Sequence, residues 1–250
     1  MNSIAIFGEI VRVTLRQLLG RRRTLLLVLL SALPVLLAVA FRMGGETDIE
    51  RFTRRIFDTV TLTILLPLVA ILFGAGAFGA EIDDGTVVYL LAKPIPRWLV
   101  VAAKAFAAVA MSIALTGTST LVAGLVDLAP AGQDGISAVL AQVVAVVVGS
   151  VCYAVLFLTL SLFTRRALVI GIGYMLVWEG ALSSILPGIA NLSIRQYSIG
   201  AASAIYNLSV NRTVLVPADT AFLLSGVLIV AALIIATWKL MRFELPGGSD

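Results

Sequence analysis

The stretch EIDDGTVVYLLAKPIPR, residues 81–97, is a short polar connection set between two long apolar runs, 58–79 and 98–126. Those neighbours decide the fold. Crossing the hydrocarbon of a bilayer takes about 20 mainly apolar residues in a helix that rises ~1.5 Å per residue. Working outward from the connection, further runs of that kind occupy 24–41, 136–163, 167–189 and 218–241, which makes six. The runs at 98–126 and 136–163 are long enough to tilt or to project beyond the lipid. The chain is 60% hydrophobic and 13% charged, with a mean hydropathy of +1.07. An ordinary soluble chain is about 25% charged, so lipid is the solvent that these residues expect. The expected fold is an all-α polytopic membrane protein with six transmembrane helices in one domain, 1–250.

Several chemistries are excluded by what is missing. There is no histidine in the chain, which removes HExxH metalloprotease sites and His-dependent triads. No GxxxxGK[ST] loop occurs, so ATP is not bound in the P-loop manner. Gly74, Gly76 and Gly79 do spell GxGxxG. They lie inside a span rather than at a strand-to-helix turn, and Leu99 stands where a ribose-binding acid belongs, so the expected meaning is close helix packing or a bend. The single Cys152 has no partner for an internal disulfide and is expected to be buried. A small-residue ridge at Ala141, Ala145 and Gly149, with another at Ala103 and Ala107, predicts tight packing of the two longest spans.

Residues 1–20 read as amphipathic rather than spanning: Ile4, Phe7, Val11, Leu15 and Leu18 recur at helical spacing, with Glu9, Arg12 and Arg16 on another face. Arg21, Arg22 and Arg23 follow, and such a cluster favours the cytoplasmic side. With the N-terminus inside, 12 of the 18 Lys and Arg residues fall on the cytoplasmic side. Trp98 and Trp238 then sit at the inner interface as aromatic anchors. Ala38-Val39-Ala40 imitates a signal-peptide cleavage site, but the start is longer than a usual n-region and five more spans follow, so an uncleaved first span is expected.

Three polar features invite function. In the 81–97 connection, Asp84-Gly85 makes a turn, Thr86 opens a short helix apolar all round, and Pro94 and Pro96 end it. Solvated charge on a plain turn and a rigid rod gripped by a partner are equal readings of these residues. Glu179, beside Trp178 in span five, is the one acid well inside an apolar run. An ionised acid there costs about 2.5–3.5 kcal/mol on insertion scales. It is either a neutral Glu hydrogen-bonded between helices or part of a path or subunit seam. The charges of 42–58, Asp58 among them, read as an external collar, with Glu50 and Arg54 spaced for an i,i+4 pair. The modest net charge of +4 is spread over both faces, which speaks against a nucleic-acid partner.

Phe78, Gly79, Ala80, Glu81, Gly85, Thr86, Leu90, Leu91, Pro94, Arg97 and Lys104 together resemble the signature of ABC-2-type (type V) permeases, the bacterial membrane subunits of ATP-binding-cassette exporters. The resemblance implies an N-terminal elbow helix, a cytoplasmic coupling helix between spans two and three, and a long outer connection (191–217) that dips back into the membrane. It implies that Glu81, Asp83, Asp84, Gly85, Thr86, Lys93 and Arg97 face an ATPase, and that Trp178 and Glu179 line the translocation path or the subunit seam. No cofactor is expected on this chain, with ATP and Mg on the partner. Two ATPase copies and a second permease copy, identical or related, complete the expected assembly in a bacterial inner membrane with both termini cytoplasmic. The rivals are an ATP-independent carrier using Glu179 as a proton site, or an intramembrane enzyme pairing Glu179 with Asp127 or Asp219.

Overall fold

The computed structural model describes residues 3–20, 22–44, 49–83, 85, 95–182, 192–206 and 216–242. Among them every regular element is helical. Helix α1 covers Ser3–Leu19 and α2 covers Arg22–Met43. Helix α3 is one continuous rod built from Ile49–Ile56, a π-helical segment Phe57–Leu65, and Leu66–Asp83. Helix α4 runs over Arg97–Asp127, α5 over Gln133–Phe163, and α6 joins Ala167–Gly173 to a π-helical Tyr174–Leu182. A short helix α7, Ile194–Ala202, precedes α8, Ala218–Met241. By length and composition α2, α3, α4, α5 and α8 can each cross a membrane; α6 is shorter and runs into 183–191, which lie outside the described residues, as do 207–215 of the 191–217 connection.

Helix α5 is the centre of the molecule and packs against α3, α4, α7 and α8. Small residues set those approaches, because without a hydrophobic drive between helices in lipid, close van der Waals contact must hold them together. Ala141, Ala145, Ala103 and Ala107 are all fully buried. A Cβ on Gly74 of α3 would fall 2.5 Å from the Ala154 carbonyl oxygen of α5, so only glycine lets the two backbones meet there. Gly79, by contrast, has nothing within 4 Å. Cys152 is buried in the same core. Helix α1 stays outside the bundle and lies on the first half of α4, with the Phe7 and Phe106 rings 5.9 Å apart and Leu18 buried.

Three of the helices change pitch within the bundle. Besides the segments in α3 and α6, a π-helical stretch occupies Ile113–Gly117 of α4. In α3 the wide turn ends just before Pro67, which has no N–H to continue the α ladder, and Thr63 donates its hydroxyl to the Asp58 carbonyl within it. Such segments are frequent at functional sites. Two of these three carry the charged residues that hold α7, described below.

Gly74→Ala should lower stability by about 1–3 kcal/mol through overpacking against backbone, whereas Gly79→Ala should leave the detergent melting temperature unchanged. Equal melting shifts for the two variants would contradict the close α3–α5 contact.

Candidate functional site

At the end of α3 next to the 81–97 connection, a lysine ties two helices together. Lys104 of α4 is 1% exposed, and its ammonium donates to the Glu81 carboxylate at 2.8 Å and to the Ala77 carbonyl at 2.6 Å, both on the last turns of α3. The charge also sits 4.7 Å from the centre of the Phe78 ring. Burying an ammonium costs several kcal/mol unless it is paired and hydrogen-bonded, and here both conditions hold. The spacing of Glu81 and Lys104 therefore brackets the connection and closes its two ends on each other.

The remaining residues of that connection are placed as follows. Arg97 is half-buried at the first residue of α4, and Gly85 is exposed in a turn at φ +68°, a left-handed conformation that suits glycine. Asp83 ends α3. Asp84, Thr86 and Lys93, with the short helix expected between them, lie outside the described residues. Glu81, for which the resemblance implies a place facing an ATPase, accepts the Lys104 ammonium, the counter-charge that a buried ammonium requires within reach.

At the other end of the bundle, Glu179 holds the start of α7. Glu179 is 1% exposed and accepts the Ile194 N–H at 2.9 Å, the Ser193 hydroxyl at 2.6 Å and the Tyr174 hydroxyl at 3.2 Å. Ser193 in turn accepts the Gln196 N–H as the helix N-cap. The carboxylate thus caps the positive end of a helix dipole, and each of these three partners donates. Trp178 assists from the preceding position, donating its indole N–H to the Leu192 carbonyl at 3.2 Å. Stacked rings of Tyr174 and Trp178, and an edge contact of Tyr174 with Phe157, carry this anchor across to α5.

A second clamp comes from α3. Arg195, 5% exposed, donates to Asp58, which is 40% exposed in the π-helical segment. One turn earlier, Arg54 donates to the Tyr206 hydroxyl at 2.9 Å and stacks over its ring. The charges of 42–58 are therefore no passive ring: Asp58 grips α7 at its first turn and Arg54 grips the chain just after it. Helix α7 penetrates deeply, since Ser198 packs where a Cβ on Gly149, near the middle of α5, would meet its hydroxyl at 2.7 Å.

Sequence reasoning marked Glu179 and Trp178 but missed Asp58, Arg195 and Lys104 as working pairs. The Asp58–Arg195 contact spans 137 residues, and no local period reports it. Asp127 accepts the Thr53 hydroxyl at 2.8 Å and Asp219 is exposed on the first turn of α8, so neither is paired with Glu179 among the described contacts. Among the described residues no group of three or more acidic or thiol side chains gathers to hold a metal.

Two facts complete the picture. The family model described as ABC-2 family transporter protein matches residues 5–245. No curated protein matches the chain. A match that runs from the first helix to beyond the last, on a wholly helical polytopic fold, settles the membership: this chain belongs to the ABC-2 transporter family and is a multi-pass membrane permease of an ABC transporter.

Proposed function

We propose that this chain forms the substrate path of an exporter driven by a separate ATPase, with α3 as the element that carries force across the membrane. The carrying observation is that one continuous helix holds Glu81, tied to Lys104, near one end and Asp58, tied to Arg195, toward the other. At ~1.5 Å per residue these points lie about 35 Å apart, comparable with the thickness of a bilayer core. ABC-2 membership implies association with an ABC ATPase subunit, and the chain carries no phosphate loop of its own. Two permease copies and two ATPases, in a bacterial inner membrane with both termini cytoplasmic, complete the proposed assembly.

In this reading a nucleotide-driven push on the 80–97 connection moves the joined ends of α3 and α4. Because α3 is unbroken, its outer half shifts with them and pulls Asp58 against Arg195. Helix α7, held otherwise by Glu179 and Trp178 of α6, is then drawn between two anchors and opens or seals the outer end of the path. The pitch changes in α3 and α6 lie at those anchors, where a helix can exchange π for α turns without breaking its ladder. Glu179 as the proton site of an ATP-independent carrier is the weaker reading, since its carboxylate is occupied in capping α7.

Affinity purification from native membranes in mild detergent tests the assembly. An ATPase chain should co-purify in a one-to-one ratio; a permease that transports when purified alone would remove the exporter reading. The clamp is tested by charge exchange. Asp58→Arg leaves a buried guanidinium unpaired and should lower stability on the order of 1–3 kcal/mol while reducing transport. Asp58→Arg with Arg195→Asp should recover much of both, and a double variant no better than its singles would contradict the pairing.

A further inference from the structure

Basic and aromatic side chains gather where α5 and α8 end. Gly79 and Ile82 of α3 line one cavity with Thr164 and Arg165, so this is the end of the bundle next to the 81–97 connection. The two spans finish at Phe163 and Met241, which sets Arg165, Arg166 and Arg242 at the level of the lipid headgroups and Lys239 just inside it. Shortly before their ends the helices touch, the Thr159 hydroxyl donating to the Ala232 carbonyl at 3.1 Å. Lys239 then reaches from α8 to α5, its ammonium 5.1 Å from the centre of the Phe163 ring. Arg242 lies over the Trp238 ring at 4.2 Å, and both rings are half-exposed.

A ring face holds a cation from one side and leaves its other N–H groups free to donate. Among the described residues no hydrogen bond or ion pair reaches the side chains of Arg165, Arg166, Lys239 or Arg242. The described acids of the same three helices all lie toward the opposite end: Asp134 in the first turn of α5, Glu179 in the second half of α6 and Asp219 in the first turn of α8. Positive charges that repel one another at the edge of lipid attract an anion. Leading up to them, Ile234, Ile235 and Trp238 of α8 are exposed, an apolar stripe on which a hydrocarbon chain can rest. We propose that the seam where α5 and α8 end binds one anionic phospholipid. Its phosphate accepts hydrogen bonds from Lys239 and from the Arg165–Arg166 pair, while an acyl chain lies along α8. A soluble anion fits less well, because it matches the charges and leaves the apolar stripe uncovered. The lipid would join α8 to the α5–α6 turn, where direct ion pairs do not.

The full-length chain, with any ATPase that co-purifies, is washed free of lipid in a neutral detergent and titrated with phosphatidylglycerol or phosphatidylcholine. Native mass spectrometry counts the lipid bound per chain. Phosphatidylglycerol should bind roughly tenfold more tightly than phosphatidylcholine. Lys239→Gln should remove most of that preference, and Arg165→Gln with Arg166→Gln should do the same from the other side of the seam. Arg16→Gln, which deletes an exposed cation of α1, should leave it intact. Equal binding of the two lipids overturns the proposal, as does an equal loss in Arg16→Gln, which would mean diffuse attraction to any basic surface. Displacement of phosphatidylglycerol by inorganic phosphate would reveal a site for a free anion and overturn it too. The arginine pair decides the outcome if Lys239→Gln does not fold.

Discussion

A lysine ammonium sealed between two helices is the constraint on which the end of this permease next to the 81–97 connection depends. Lys104 cannot leave its site without carrying charge through an apolar interface, and it cannot stay without Glu81 and the Ala77 carbonyl. The consequence is mechanical. The last turns of α3 and the first turns of α4 are tied to each other through Lys104, Glu81 and the Ala77 carbonyl. A pair of apolar residues would pack these helices equally well, but their contact is non-directional and permits sliding. The two hydrogen bonds from one nitrogen fix the register.

The opposite end of the bundle answers with a different device. Helix α7 is short and carries several polar side chains, yet nearly all of it is buried. A helix of nine residues has little stability of its own, and its unsatisfied N–H groups are costly away from water. Glu179, Ser193 and Trp178 meet that cost at its start, and Asp58 neutralises Arg195 beside it. Both supports come from π-helical segments, in which the backbone departs from the α ladder. Close packing at Gly74 holds α3 to α5, and at Gly149 it seats α7 against α5.

Much of the architecture was legible in the chain because lipid imposes a simple rule on apolar length. The runs around 24–41, 98–126, 136–163 and 218–241 can hardly be anything but helices, and the absence of histidine and of a phosphate loop narrowed the chemistry. The amphipathic start was readable from the spacing of Phe7 and Leu18. What was hidden is equally specific. A π-helical turn leaves the apolar period almost unchanged, so Phe57–Leu65 and Tyr174–Leu182 give no signal. Helix α3 begins at Ile49, ahead of its apolar run, where Arg54 bonds to Tyr206 of another segment. Glu179 could be singled out as an expensive acid, but Ser193 and Ile194, which donate to it, follow a stretch of connection with no period to read. Asp58 looked like one charge among eight, and only the fold shows that Arg195 comes to it.

The central claim is that inner and outer ends are linked through α3, and labelling of α7 tests it most directly. Cys152→Ala removes the one native thiol, and Ser198→Cys then places a reporter at the buried face of α7. An impermeant thiol reagent applied from outside should react slowly at rest and faster while the partner ATPase turns over. In Lys104→Met the resting rate should persist and the nucleotide-driven increase should disappear. An increase of the same size in Lys104→Met as in the parent would show that force reaches α7 by another route.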